Sequence, residues 1–211
     1  MFKNVMMLGL AVAAAVTVTA AQVATPQEAA QAPRPRIASP AGSSQTQIGT
    51  GATGKWIEIT YGRPIKRGRD LWGSGPTYAQ LLLVNGAKVW RAGANVSTRL
   101  KTELPLQIGG KAVPAGEYSL FIDTKSPTDW TLIVSSWGAK TSGRDQTPDT
   151  LWGSFNYTPD KDVARVAMKM DTFPLAVDQL TWGFANVTPE GGTLVLAWDT
   201  VVASAPFTIS K

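Results

Sequence analysis

Two short stretches carry the residues best suited to chemistry. Arg63, Lys66, Arg67 and Arg69 crowd into YGRPIKRGR, and Arg91 and Asn95 follow in VWRAGAN. A guanidinium presents a rigid fork of N–H donors that fits a carboxylate or a phosphate, and suits sugar hydroxyls. Asn95 and Thr98 add neutral hydrogen-bonding groups, and Gly93 permits close backbone approach. Both stretches combine Arg with Gly in loop-like sequence beside a strand. They predict that Arg63, Arg69, Arg91 and Asn95 converge at one end of a rigid scaffold as a polar site for a small anionic or glycan ligand. The competing expectation is structural: Arg91 pairs with an acid such as Glu58 or Glu117 and pins the loops to the sheet. Trp90 and Arg91 alternate, so if one faces the core the other faces out or along the rim.

The chain has no His and no Cys. That excludes a serine hydrolase triad, a thiolate nucleophile, a disulfide and a cysteine-ligated metal. Asp160, Lys161 and Asp162 read as a turn without the spacing of a calcium loop, so neither metal nor cofactor is expected. Hydrolysis would need a carboxylate pair, held roughly 5–10 Å apart in glycoside hydrolases. Glu58, Glu103, Glu117 and Asp123 are the acids on strand-like segments, and their spacing selects no pair. A binding module therefore ranks above a carboxylate-dependent hydrolase of envelope glycans, with a structural envelope protein as a third class. Two of these acids facing one concave pocket would favour the enzyme; scattered acids would disfavour it.

The elements that must position these groups read as strands. Residues 55–61 (KWIEITY) alternate Ile57, Ile59 and Tyr61 against Trp56, Glu58 and Thr60, the period of a strand with unlike faces. Residues 97–103 (STRLKTE) are short and polar, as in an edge or outward-facing strand. Gly109-Gly110 marks a hairpin turn. Residues 117–123, 130–136, 163–170, 180–187, 193–198 and 207–210 are further strands, and 70–84 can hold a short helical turn. Many short strands with turn-rich spacing predict an all-β fold, an antiparallel β-sandwich or barrel-like single domain. Of eight Trp residues, Trp130, Trp182 and Trp198 belong to the core, whereas Trp72, Trp137 and Trp152 stand in Gly-rich loops where exposure fits better.

Three stretches in order are distinctive: YGRP with KRGR and LWG at 61–73, VWRAGAN with Thr98, and IGGK through PAGEYSLF at 108–121. Residues 130–131, 162–166 and 194–198 extend the pattern. Together they resemble the bacterial domain-of-unknown-function family 2911 over nearly the whole chain after about Ile37. The resemblance implies an exported bacterial protein without an established activity. Members often carry a His shortly after the Ser-Pro near the domain start, where this chain has Ser39-Pro40-Ala41.

The ends of the chain support export. Lys3 and the apolar residues 5–18, followed by the small residues Thr19, Ala20 and Ala21, have the layout of a signal peptide over residues 1–21. Residues 22–36, rich in Ala, Gln and Pro, read as a disordered spacer, and the β-domain occupies 37–211. A periplasmic or extracellular location follows, with no membrane span in the mature protein. The formal charge of +5 is modest, and no basic helix or aromatic-basic pattern points to nucleic acid.

Overall fold

The computed structural model describes residues 39–210; the expected signal peptide and spacer lie outside the described residues. Twelve strands form two large antiparallel sheets and a small parallel pair. The first sheet runs β1 (Ala41–Ile48), β2 (Lys55–Gly62), β3 (Thr98–Thr102), β6 (Gly116–Ser126), β7 (Asp129–Ser135) and β10 (Asp162–Ala167) in that spatial order. The second runs β11 (Lys169–Thr188), β12 (Gly191–Ile209), β4 (Leu106–Ile108) and β5 (Lys111–Val113). β8 (Gly138–Ala139) and β9 (Thr150–Leu151) make the parallel pair. β1 lies beside β11 and β10 beside β5, but no hydrogen-bonded ladder closes the sheets into a barrel. The all-β expectation holds, as two facing sheets.

The alternation in β2 fixes its faces: Ile57, Ile59 and Tyr61 are buried, while Trp56 is 45% exposed. They join Leu100, Leu120, Ile122, Leu132 and Val134 from the same sheet and Leu180, Trp182, Leu194, Leu196, Trp198 and Phe207 from the other in one core. Four indoles meet there. Trp72 lies 5.2 Å from Trp130, and both flank Trp90 and Trp198 at 6.1–6.4 Å where they touch, in mostly edge-on geometries. Trp90 and Trp198 stack at 18°. Aromatic quadrupoles favour edge-to-face and offset arrangements of this kind. Trp72, expected to be exposed, is instead partly buried against the core from its loop.

Two other departures follow. β3 was expected at an edge or facing outward; it is central, with Ser97, Thr98, Leu100 and Thr102 buried and Lys101 exposed. The buried hydroxyls are satisfied by backbone: Ser97 Oγ donates to the carbonyl of Gly153 (2.6 Å) and Thr98 Oγ1 to that of Ala92 (3.1 Å). The strands expected at 117–123 and 130–136 are covered on both faces. Leu120, Ile122, Leu132 and Val134 face the main core, and Phe121 and Ile133 face a second cluster with Val89, Leu151 and Tyr157. The connection from 136 to 161 supplies that cover, so these strands are buried on both faces and read as continuous apolar runs.

Tyr61 links the sheets. Its hydroxyl accepts the backbone N–H of Trp182 on β11 at 3.0 Å. The Tyr61→Phe variant keeps the ring but strands that buried N–H, at a cost of about 1–3 kcal/mol. Urea unfolding should show a lower midpoint at unchanged slope. An unchanged midpoint would remove this bond from the account of sheet docking.

Candidate functional site

The polypeptide leaves β2 through Gly62 and crosses at once to the second sheet. The N–H of Arg63 donates to the Pro40 carbonyl, that of Lys66 to Asp178, and that of Leu180 to Pro64, all at 2.7–3.0 Å. Lys66 Nζ meets Asp199 at 2.5 Å. Pro64-Ile65-Lys66 is thus stitched along β11, the edge strand of the second sheet, and the chain continues into Arg67, Gly68 and Arg69.

The second stretch returns to the same place. Trp90 exchanges two backbone hydrogen bonds of 2.8 Å with Ile122, which seats its indole in the core. Arg91 follows outward, as the alternation predicted. The chain then turns tightly, with Ala92 and Asn95 in left-handed conformations (φ 52° and 63°). The carbonyl of Ala92 accepts from Thr98 Oγ1 and from the indole of Trp182 at 2.9 Å. The turn packs backbone to backbone on the first stretch: Ala94 N–H donates to the Gly62 carbonyl at 3.2 Å. A side chain on Gly62 would overlap the Ala94 carbonyl, and one on Gly93 would meet Thr98 Oγ1 at 2.8 Å. Glycine is required at both positions.

Between these stretches lies a cavity of about 330 Å³. Arg69, Arg91 and Asn95 line it together with Leu81, Val84 and Trp152. Three of the four expected site residues therefore share one concavity. Arg63 does not. Its Nε and Nη2 donate to the Leu180 carbonyl and Thr181 Oγ1 at 3.3 Å, and its methylenes cover Gly42. Arg63 clasps β1 to β11, a structural task that its loop-like sequence does not reveal.

Arg91 has no acidic partner among the described residues. Glu117 is held by Arg99 and Lys101, and Glu58 accepts from Ser43 and Gln45 at 2.8 and 3.0 Å. Neither reaches Arg91, so the expected pinning ion pair is absent. One Nη1–H donates to the Asn95 carbonyl at 2.5 Å. Burial alone pushes the guanidinium pKa below its ordinary value, and no carboxylate offsets it. A partly buried cation without a counterion is costly. Arg69 is held by the carbonyls of Ile65 and Lys66 at 2.7 and 3.0 Å, with further N–H donors left over. Asn95 donates to the Ser39 carbonyl at 3.1 Å.

Trp152 and Gly153 were missed as partners of Arg91. Gly153 sits at φ 63°, and a Cβ there would lie 2.5 Å from Arg91 Nη1. The LWG turn therefore forms a floor on which the guanidinium lies. Only the Trp-Gly pairing in the sequence hinted at it.

The strand-borne acids are partly grouped. Glu58 and Glu103 share a concavity of about 310 Å³ on the outer face of the first sheet with Trp56, Gln45 and Lys101, the arrangement of two acids that favours the enzyme reading. Asp123 and Glu117 lie elsewhere, in ion pairs with Arg165 and with Arg99 and Lys101. Among the described residues no group of three or more His, Cys, Asp or Glu could hold a metal ion. No helix there is long and apolar enough to cross a membrane.

A family model described as "Protein of unknown function (DUF2911)" matches residues 39–207, which includes every residue of the cavity. No curated protein and no solved structure matches the chain.

The two glycines separate by what surrounds them. The Gly62→Ala variant drives a methyl into backbone that cannot yield and should cost about 3 kcal/mol, a fall in Tm of roughly 6–12 °C for a domain of this size. The Gly153→Ala variant meets only the tip of Arg91. It should cost about 1 kcal/mol for its left-handed backbone and displace the guanidinium, visible as a shifted Arg91 Nε–H resonance. Equal loss in the two variants would contradict this account.

Proposed function

We propose, for a chain that belongs to the DUF2911 family, that the domain is a binding module for a small anionic ligand held at the end of the two sheets. One observation carries the reading: Arg91 is partly buried, faces a cavity with Arg69 and Asn95, and has no acid to neutralise it among the described residues. A carboxylate or phosphate in that cavity would meet forked, charge-assisted donors. Arg91, Arg69 and Asn95 are the binding residues of this proposal, and Arg63 is not. The signal-peptide layout of residues 1–21 places such a module in the periplasm or outside the cell, which intact-mass analysis of fractionated cells tests.

A glycan reading has its own support. Trp56 stands 45% exposed beside Glu58, Glu103 and Gln45, and an indole flanked by acceptors suits a sugar face. Hydrogen bonds from Gln45 and Ser43 hold the Glu58 carboxyl below its ordinary value, which suits a nucleophile or base, so a hydrolase there would need Glu103 as its acid. Polar glycan fragments should quench Trp56 fluorescence without release of reducing ends; release would restore the hydrolase.

The decisive variant is Arg91→Ala. Binding of phosphate or acetate, followed by calorimetry, should weaken about 10- to 100-fold, as expected for one lost charge-assisted bond. The unliganded variant should be as stable as the parent, because an uncompensated cation has been removed. The Arg63→Ala variant should do the reverse, lowering Tm and leaving affinity in place. A destabilisation of about 3–5 kcal/mol in unliganded Arg91→Ala, the signature of a broken buried ion pair, would overturn the proposal.

A further inference from the structure

The anion reading leaves one side of the same cavity without a task. Large apolar side chains that remain exposed among the described residues are few: Trp56, Leu81, Val84, Phe155, Phe173, Leu175 and Val187. Three of them gather around Arg91. Leu81 is 50% exposed, Val84 45% and Phe155 51%, and all three line cavities there. Scattered single exposures need no explanation, but apolar groups gathered in a concavity mark a contact surface.

The concavity is longer than the first cavity alone. A second, of about 440 Å³, is lined by Val84, Arg91, Lys140, Trp152 and Phe155 among others. It shares Val84, Arg91 and Trp152 with the first. A third, of about 380 Å³, continues past Arg69 to Arg67. No Asp or Glu lines any of the three. The result is a trough with four cations, Arg67, Arg69, Arg91 and Lys140, and an apolar wall from Leu81 and Val84 to Phe155. Each size is within the range of small-molecule pockets, which combine apolar lining with a few placed polar groups.

The apolar wall is held in place by its backbone. Leu81 and Val84 sit on consecutive 3₁₀ turns, Gln80–Leu82 and Val84–Gly86. Ala79 and Asn85 take left-handed conformations around them (φ 56° and 58°). Leu82 and Ala79 are buried in the main core, so the turns are anchored while Leu81 and Val84 project. Phe155 caps the turn that starts at Trp152, where its N–H donates to the Trp152 carbonyl at 3.2 Å.

An inorganic anion would satisfy Arg91 and Arg69 and leave this wall in water. We infer that the trough binds an amphiphilic organic anion, its carboxylate or phosphate head on Arg69 and Arg91 and its acyl or aryl body along Leu81, Val84 and Phe155. The inference rests on the anion-module reading and names the ligand class of that same site.

Calorimetry of the purified protein with acetate, butyrate, hexanoate and octanoate, with inorganic phosphate, and with neutral octyl glucoside tests it. Affinity should rise by about 2- to 4-fold per methylene, up to the transfer value of about 0.8 kcal/mol per buried group. Octanoate should bind more tightly than octyl glucoside, and the Arg91→Ala variant should erase that preference. The Phe155→Ser variant, on an exposed side chain that folding does not need, should shrink the octanoate-to-acetate ratio. The Leu175→Ser control, on the exposed part of β11, should leave it intact. If phosphate and acetate bind but affinity does not grow with chain length, the amphiphile inference falls and the anion module stands. If octyl glucoside matches octanoate, head recognition fails and the inference falls with it. If no anion binds, both are wrong.

Discussion

The carbonyl oxygen of Ala94 occupies the space that a side chain on Gly62 would need, and the rest of the arginine end depends on that close approach. It brings the exit of β2 against the turn after Trp90, and the Gly62 carbonyl accepts the Ala94 N–H in return. The turn is then locked from the opposite sheet by the Trp182 indole, which shares the Ala92 carbonyl with Thr98. Arg69 and Arg91 come from segments far apart in sequence. They line one cavity because two backbones meet where no side chain intervenes.

Hydrophobic burial supplies the platform under that contact. The four-indole cluster of Trp72, Trp90, Trp130 and Trp198 fills the space between the sheets just beneath the cavity, and Trp90 and Trp198 also form part of its lining. Trp130 donates its Nε1–H to the Tyr78 hydroxyl at 2.9 Å, so the 70–87 segment, which carries the apolar wall, is tied to the first sheet. The outer cluster of Phe121, Ile133, Leu151 and Tyr157 does the same for the 136–161 connection. Leu151 is buried there, and this places Trp152 and Gly153 under Arg91. The two cores meet at the trough, one element from each.

Charge is distributed unevenly around this scaffold. The outer face of the first sheet carries cross-strand rows of opposite sign, Glu58 beside Lys101 beside Glu117, where neighbouring charges compensate one another. At the trough the cations face a cavity with no acid in its lining. Low dielectric makes an unpaired cation costly, and the proposed anion would relieve that cost.

The sequence by itself determined the strand-rich class, the faces of β2, the core placement of Trp130, Trp182 and Trp198, and the two Arg-Gly stretches at 61–69 and 89–95. These are local properties: period-two patterning and the co-occurrence of Arg with Gly at strand exits. The same local logic could not separate Arg63 from Arg69, since both stand in one basic run and differ only in whether β11 passes within reach. It placed β3 at an edge or facing outward because polar residues usually face water, and the acceptors that bury Thr98 and Ser97 come from Ala92, Leu151 and Gly153. Trp72 looked exposed because a loop has no periodicity to mark its buried side. The absence of an acidic partner for Arg91 among the described residues, the floor under it at Gly153 and the apolar wall opposite were decided only by tertiary structure. Each is a relation between segments distant in sequence, and no pattern within one segment encodes what another brings to it.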